Sequence, residues 1–156
     1  MKLTGYFKLG VVLAVISLSQ ACNNDSKNQL GPLLAGKISG KQWEYRYAKS
    51  MYASFTNSFE TELFGLDQQE QDPCSIFLSP FNYVTMNVPN SIGYFQIPAD
   101  LNVYFELEGT TANRLMATSG YLEVISIDGR RIGGYLQAVY DDSTQVEGSV
   151  IFDRCY

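Results

Sequence analysis

The chain has 156 residues, with 16 acidic side chains against 11 basic ones and no histidine. That length suits one domain, and the acidic balance repels phosphate backbones, so we expect no nucleic-acid partner. The lack of histidine removes the commonest general base, the commonest metal ligand and the Ser-His and Cys-His catalytic pairs. The sequence also contains no phosphate-binding loop and no Gly-x-Ser-x-Gly motif. We therefore expect a protein that is not an enzyme and has no cofactor or metal.

Residues 1–21 are typical of an export signal. Lys2 and Lys8 give a positive start, and residues 9–18 (LGVVLAVISL) form an uncharged apolar stretch. The uncharged run ends at Cys22, so it is shorter than the roughly 20 residues of a helix that spans a bilayer. We expect a signal peptide over residues 1–21 that is cleaved from the mature chain.

The residues before Cys22 indicate how the signal is removed. The segment LSQAC, which ends at Cys22, resembles the lipobox of bacterial lipoproteins, although Ser19 stands where that family usually has leucine. The resemblance implies that Cys22 is lipidated, begins the mature chain and holds it to the membrane through acyl chains. Asn23 is not the aspartate of the inner-membrane retention signal, which favours the outer membrane. Ser19 and Ala21 also suit ordinary signal peptidase, so simple secretion is an alternative.

The chain has three cysteines, and an odd number in an exported protein leaves one thiol to explain. With Cys22 lipidated, Cys74 and Cys155 can pair in an oxidising compartment, with Cα atoms about 4.4–6.8 Å apart. The alternative is two separate buried thiols. Residues 22–32 are polar and predict a flexible tether, and residues 33–156 predict a β-rich globular domain.

The domain is predicted to be all-β because apolar and polar residues alternate along many short segments. Residues 121–155 predict a three-stranded meander whose first hairpin turns at Asp128-Gly129. Residues 90–97, bracketed by prolines, predict a short strand that lies between turns or at an edge, and residues 111–117 predict one turn of helix. Alternation places Trp43, Tyr45 and Tyr47 on one face.

Eight to ten such strands predict a single antiparallel β-sandwich, with a closed, calyx-like β-barrel as the alternative. One core is predicted to collect the inward aromatic and aliphatic side chains of several strands. Its expected members are Trp43, Phe105, Leu136, Val150 and Phe152.

Three tyrosines are candidate ligand-binding residues because their strand neighbours are polar. Tyr83, Tyr104 and Tyr135 fall on the face opposite the apolar stripe, where a ring and a hydroxyl suit recognition of a glycan or a protein. Ordinary cross-strand packing, or a second buried layer, is the alternative. Asp141, Asp142 and Glu147 suggest calcium ligands, but their spacing fits no EF-hand loop and is typical of a solvated turn.

Three functions fit these observations. The first is a lipid-anchored, non-catalytic module of the cell envelope that binds a protein or glycan. The second is a barrel-type carrier of a lipid or small hydrophobic ligand, since the bridge to the chain end and Arg154 resemble lipocalins. The Gly-x-Trp start of that family is one residue longer here, as Gly40-Lys41-Gln42-Trp43. The third is a carboxylate-based hydrolase, which needs only two acidic side chains.

Overall fold

The structure of the protein is a computed structural model that describes residues 31–65, 72–75, 81–108 and 114–155. The predicted signal peptide, the predicted lipidation site Cys22 and most of the predicted tether lie outside the described residues. The described part contains ten strands and one 3-10 helix, Pro73–Ser75. The strands are β1 Ala35–Ile38, β2 Lys41–Ala53, β3 Ser58–Gly65, β4 Tyr83–Pro89, β5 Gly93–Ile97, β6 Val103–Glu106, β7 Arg114–Met116, β8 Ser119–Ile127, β9 Arg131–Asp141 and β10 Thr144–Cys155.

All ten strands belong to one sheet in the order β5-β8-β9-β10-β1-β2-β3-β4-β6-β7. The sheet curls into a half-barrel, so the prediction of an all-β antiparallel domain is confirmed. Its two halves enclose a shared core, as the two layers of a sandwich do, but they belong to one continuous sheet. The short β1 lies between β10 and β2, and beyond it these two strands pair directly and in parallel, with Asp153 opposite Lys49.

The close fit of β1 against β10 depends on a glycine. A Cβ atom on Gly36 would lie 2.0 Å from the carbonyl oxygen of Gln145, which no side chain tolerates. The first described residues already contact the sheet, because the carbonyl of Pro32 accepts the N–H of Ser149 at 2.7 Å and Leu34 is fully buried. The chain therefore enters the fold along β10.

The core lies on the concave face of the curled sheet. The five predicted core residues are all buried in one cluster, which confirms that prediction. Parity along the strands explains the result, because a strand that buries Phe105 turns Tyr104 to the opposite face. Large side chains from both halves of the sheet fill the interior: Phe59, Phe105, Phe152, Leu63, Leu122 and Leu136.

The three-stranded meander over residues 121–155 is confirmed as β8, β9 and β10, and β5 is confirmed as an edge strand. The helical turn over 111–117 is wrong for its described part, because residues 114–116 pair with β6. The shared face of Trp43, Tyr45 and Tyr47 is also wrong. An irregularity between Tyr45 and Tyr47 shifts the register, and Tyr47 turns to the convex face to contact Phe64.

Candidate binding groove

An open groove of about 570 Å³ lies on the convex face of β2, β3, β4 and β6. The register places Lys49, Glu62, Thr85 and Tyr104 side by side on these four strands. Their alternate neighbours are buried in the core, so this row faces outward. We call this feature the outer groove. Side chains of both charges and several neutral polar ones line it: Lys49, Glu60, Glu62, Thr85, Asn87, Asp100, Asn102, Tyr104 and Arg114.

One wall of the outer groove is a stacked pair. The guanidinium carbon of Arg114 lies 4.1 Å from the centroid of the Tyr104 ring, within the range of a cation–π contact. The same guanidinium donates through Nε to Oε1 of Glu106 at 3.0 Å, and Thr85 donates its hydroxyl to that oxygen at 3.1 Å. Glu106 is only 8% exposed. These contacts fix the Tyr104 ring before any ligand arrives.

The floor of the outer groove contains a second ion pair. Nζ of Lys49 lies 3.0 Å from Oε2 of Glu62, and the Lys49 side chain is 9% exposed. Nζ is also 5.9 Å from the centroid of the Phe64 ring. Because the lysine is so little exposed, the pair holds Glu62 in one place at the bottom of the groove.

The rim of the outer groove carries exposed polar groups. Glu60, Asn87 and Asn102 are exposed to solvent and line the opening. Asp100 is held by the loop, since its carboxylate accepts the N–H of Gln96 at 2.8 Å. The rim therefore offers both amide donors and carboxylate acceptors to a ligand.

Tyr83 does not belong to an exposed patch. Its ring stacks on Phe64 with centroids 5.8 Å apart, and Phe64 is 1% exposed although it lies on the convex face. Burial, followed by the nearby Glu106 charge, raises the pKa of the Tyr83 phenol above its ordinary value. Phe64 is thus buried outside the main core, against the half-buried rings of Tyr83 and Tyr47.

Tyr135 lies in the other half of the sheet, on β9. Its ring stacks on Tyr121 with centroids 6.1 Å apart, and Tyr121 stacks on Tyr94 of the edge strand at 4.8 Å. The Tyr135 hydroxyl donates to Oε1 of Glu147 at 2.8 Å. That bond, aided by burial, raises the pKa of Tyr135 to about 12. The three candidate tyrosines are therefore not one site, and only Tyr104 lines the outer groove.

Sequence reasoning missed Arg114, Lys49 and the two carboxylates that they pair with. Arg114 stands outside any alternating segment, and Lys49 follows the irregularity in β2 that inverts the predicted faces. The only available signal for Arg114 was its isolation as a basic residue in a polar loop. Arg114 reaches the outer groove because the pairing of β6 with β7 places it opposite Glu106.

The acidic residues at the β9–β10 turn, considered above as calcium ligands, make hydrogen bonds within the protein instead. Asp141 accepts hydrogen bonds from the N–H and the hydroxyl of Ser143, both at 2.8 Å, and these bonds lower the pKa of its carboxyl. Glu147 binds Tyr135 instead. Within the described ranges, no group of three or more His, Cys, Asp or Glu side chains could hold a metal ion.

Cys74 and Cys155 are joined as a disulfide, with Cα atoms 5.6 Å apart, inside the predicted range. The bond ties the 3-10 helix to the end of β10, next to Met51 of β2. It therefore holds residues 73–75 at the end of β10, close to the strands that carry the outer groove.

No helix in the described part of the chain has the length and apolar character needed to cross a membrane. Comparisons with protein-family models, curated proteins and solved structures gave no match to this chain.

Proposed function

We propose that this protein is a lipid-anchored module of the cell envelope, most consistent with the outer membrane, that binds a glycan in the outer groove without catalysis. The supporting observation is the Tyr104 ring, fixed by Arg114 at 4.1 Å, beside an open polar cleft of about 570 Å³. Recognition sites commonly combine an aromatic surface with a few placed polar groups.

A sugar suits this groove better than an apolar ligand does. Sugar hydroxyls both donate and accept hydrogen bonds, and the groove offers carboxylates at Glu60 and Asp100 together with amides at Asn87 and Asn102. The C–H face of a sugar ring can pack against Tyr104. The groove is open along the sheet, which suits one stretch of a longer chain.

The two alternative functions have less support. A carrier needs an enclosed apolar cavity, whereas Phe105, Phe152 and Leu136 are fully buried in the interior of the half-barrel. A hydrolase needs two carboxylates free to act on a substrate. Of the groove carboxylates, Glu62 is paired with Lys49 and Asp100 accepts the N–H of Gln96, which favours a positioning role for both.

The test is calorimetric titration of the protein with a panel of soluble oligosaccharides, including peptidoglycan fragments and lipopolysaccharide core sugars. A sugar that binds the wild type should bind Tyr104→Ala at least tenfold more weakly. The matched control is Tyr135→Ala, which removes the same side chain from the other half of the sheet and should leave affinity unchanged. Equal loss in both variants, or binding of no sugar in the panel, would contradict the proposal.

The anchor has a separate test. Mass spectrometry of the protein extracted from membranes should find an acylated Cys22 at the N-terminus, and Cys22→Ser should release the protein or block its processing. An unmodified Cys22 thiol in the extracted protein would overturn lipidation, whatever the outcome of the sugar titration.

A further inference from the structure

Three turns lie at one end of the half-barrel. They connect β2 to β3 (residues 54–57), β4 to β5 (residues 90–92) and β8 to β9 (residues 128–130). The first two are linked by hydrogen bonds from Asn90 to Asn57, backbone to backbone at 3.2 Å and side chain to side chain at 3.1 Å. The third lies beside the end of β10, which pairs with the second half of β2. We call these three turns the turn end.

The tips of two of these turns carry exposed apolar side chains. Phe55 is 100% exposed and Ile92 is 67% exposed, so neither contributes to the core. Single exposed apolar residues are ordinary on a protein surface. Here, however, two of them stand on adjacent, hydrogen-bonded turns. Apolar area that is buried in the headgroup boundary contributes to the binding of a surface segment to a bilayer.

The third turn brings positive charge to the same end. Three of the five arginines in the sequence, Arg130, Arg131 and Arg154, lie around it and line a shallow open cavity of about 570 Å³. Arg154 donates to the carbonyl of Asp128 at 2.7 Å, and its guanidinium carbon lies 4.9 Å from the Phe59 ring, which joins this turn to β3.

Two carboxylates face the arginines. Asp128 accepts the backbone N–H groups of Arg130 and Arg131 at 2.7 Å, and Asp153 pairs with the Arg131 side chain at 3.1 Å. Among the side chains that line this cavity, three cations stand against two anions, in a chain where acidic residues outnumber basic ones. Arg130 is exposed and lines the cavity.

The course of the chain points to the same end. Leu33 lies opposite Ser149 and Ala35 lies opposite Glu147, so the chain reaches β1 from the side of β10 where Asp153 lies. The nine residues 22–30, counted from the proposed anchor Cys22, precede the first described residue. Fully extended they span about 30 Å, so the acyl chains are held within that distance of the domain.

We propose that the turn end docks on an anionic phospholipid surface, with Phe55 and Ile92 in the headgroup boundary and Arg130 among the phosphates. This inference rests on the lipid anchor of the proposed function. It places the three turns against the bilayer, and the opposite end, with the acidic turn at Asp141, faces away from it.

The test uses the full lipidated protein in vesicles that contain brominated phospholipids. Phe55→Trp adds a reporter at the turn end, and Asp142→Trp adds one at the exposed opposite turn. Trp43 is 4% exposed and gives the same background in both variants. In vesicles with phosphatidylglycerol, we expect strong quenching of the Phe55→Trp signal and none of the Asp142→Trp signal. Vesicles of phosphatidylcholine alone should quench Phe55→Trp more weakly.

Charge variants in the Phe55→Trp background separate docking from anchoring. Arg130→Glu should lower the ratio of docked to undocked protein at least fivefold, because each arginine near an anionic surface contributes about that factor. Lys37→Glu, an equal charge reversal away from the turn end, should have no effect. Added salt should weaken quenching as it screens the arginines.

Three outcomes would overturn this inference. If the protein fails to float with vesicles, both the lipid anchor and the docking are contradicted. If the protein floats but the Phe55→Trp signal is not quenched, docking alone is contradicted, and the proposals of a lipid anchor and of sugar binding in the groove are unaffected. Quenching that inorganic phosphate abolishes at constant ionic strength indicates a discrete phosphate site in place of a membrane surface.

Discussion

Arg114 lies across the ring of Tyr104 and pairs with Glu106 through the same guanidinium. One side chain on the short strand β7 therefore connects the wall of the outer groove to a carboxylate that is 8% exposed. This relationship makes the edge of the sheet part of the outer groove, because Arg114 lines the groove while its neighbour Leu115 packs against the core.

Replacing Arg114 should lower stability through Glu106. Arg114→Met keeps the length of the side chain but leaves the little-exposed carboxylate without its cation, which should cost about 1–2 kcal/mol in the free energy of unfolding. Urea denaturation measures the change. Adding Glu106→Gln in the same chain should recover part of it.

Lys41→Met is the control for this experiment. Lys41 pairs with Glu108 at 2.8 Å, but both side chains are at least half exposed, so the loss should stay below about 0.5 kcal/mol. Equal effects of Arg114→Met and Lys41→Met would contradict a structural role for the Arg114 pair.

The disulfide should contribute strongly to stability. Cys74 and Cys155 close a loop with a sequence separation of 81, for which the loop-entropy relation gives about 4.5 kcal/mol. Cys74→Ser and Cys155→Ser should each lower the melting temperature by a similar amount, and reducing agent should lower that of the wild type to match. A reductant with no effect on the wild type would contradict the disulfide in solution.

The sequence predicted the strands and the core because both depend on local alternation. Trp43, Phe105 and Phe152 could be assigned to one core since a period of two separates inner from outer faces wherever the strand is regular. The prediction was wrong at Tyr47, where an irregularity in β2 inverts the faces, because such a shift leaves no pattern in the sequence.

The groove could be predicted only in part. Tyr104 stood out through its polar neighbours, but Lys49, Arg114 and Glu62 are brought to it by pairing between distant strands. Tyr83 looked the same as Tyr104 by alternation, yet packing against Phe64 gives it a structural role. The sequence also did not indicate that the arginines of the turn end lie together, since Arg154 is distant in sequence from Arg130 and Arg131.

Neighbouring residues on β6 should respond very differently to truncation. Phe105 is fully buried, so Phe105→Ala should cost about 3–5 kcal/mol of stability. Tyr104 is half-buried on the convex face, so Tyr104→Ala should cost far less and should chiefly weaken sugar binding. Thermal unfolding compares the two. A drop in melting temperature for Tyr104→Ala as large as that for Phe105→Ala would place Tyr104 in a core and remove it from the groove.

The pKa of Tyr135 gives the domain a predictable response to alkaline pH. Its hydrogen bond to Glu147 raises the pKa of the folded state to about 12 from the ordinary value of 10. The folded state therefore holds this proton more tightly than the unfolded state does, so the stabilisation is complete below pH 10 and is lost as the pH rises towards 12. Glu147→Gln removes the carboxylate acceptor and should bring the Tyr135 pKa back towards 10.

Two measurements check this response. Ultraviolet titration of phenolate should show one tyrosine fewer ionising near pH 12 in Glu147→Gln than in the wild type. Urea denaturation between pH 9 and 12 should show a smaller loss of stability with pH in the variant, because its folded and unfolded states bind the Tyr135 proton about equally. Burial also raises the pKa of Tyr45, but that effect is common to both chains and cancels in the comparison. Identical pH profiles for the two proteins would mean that Glu147 does not hold the Tyr135 proton in solution.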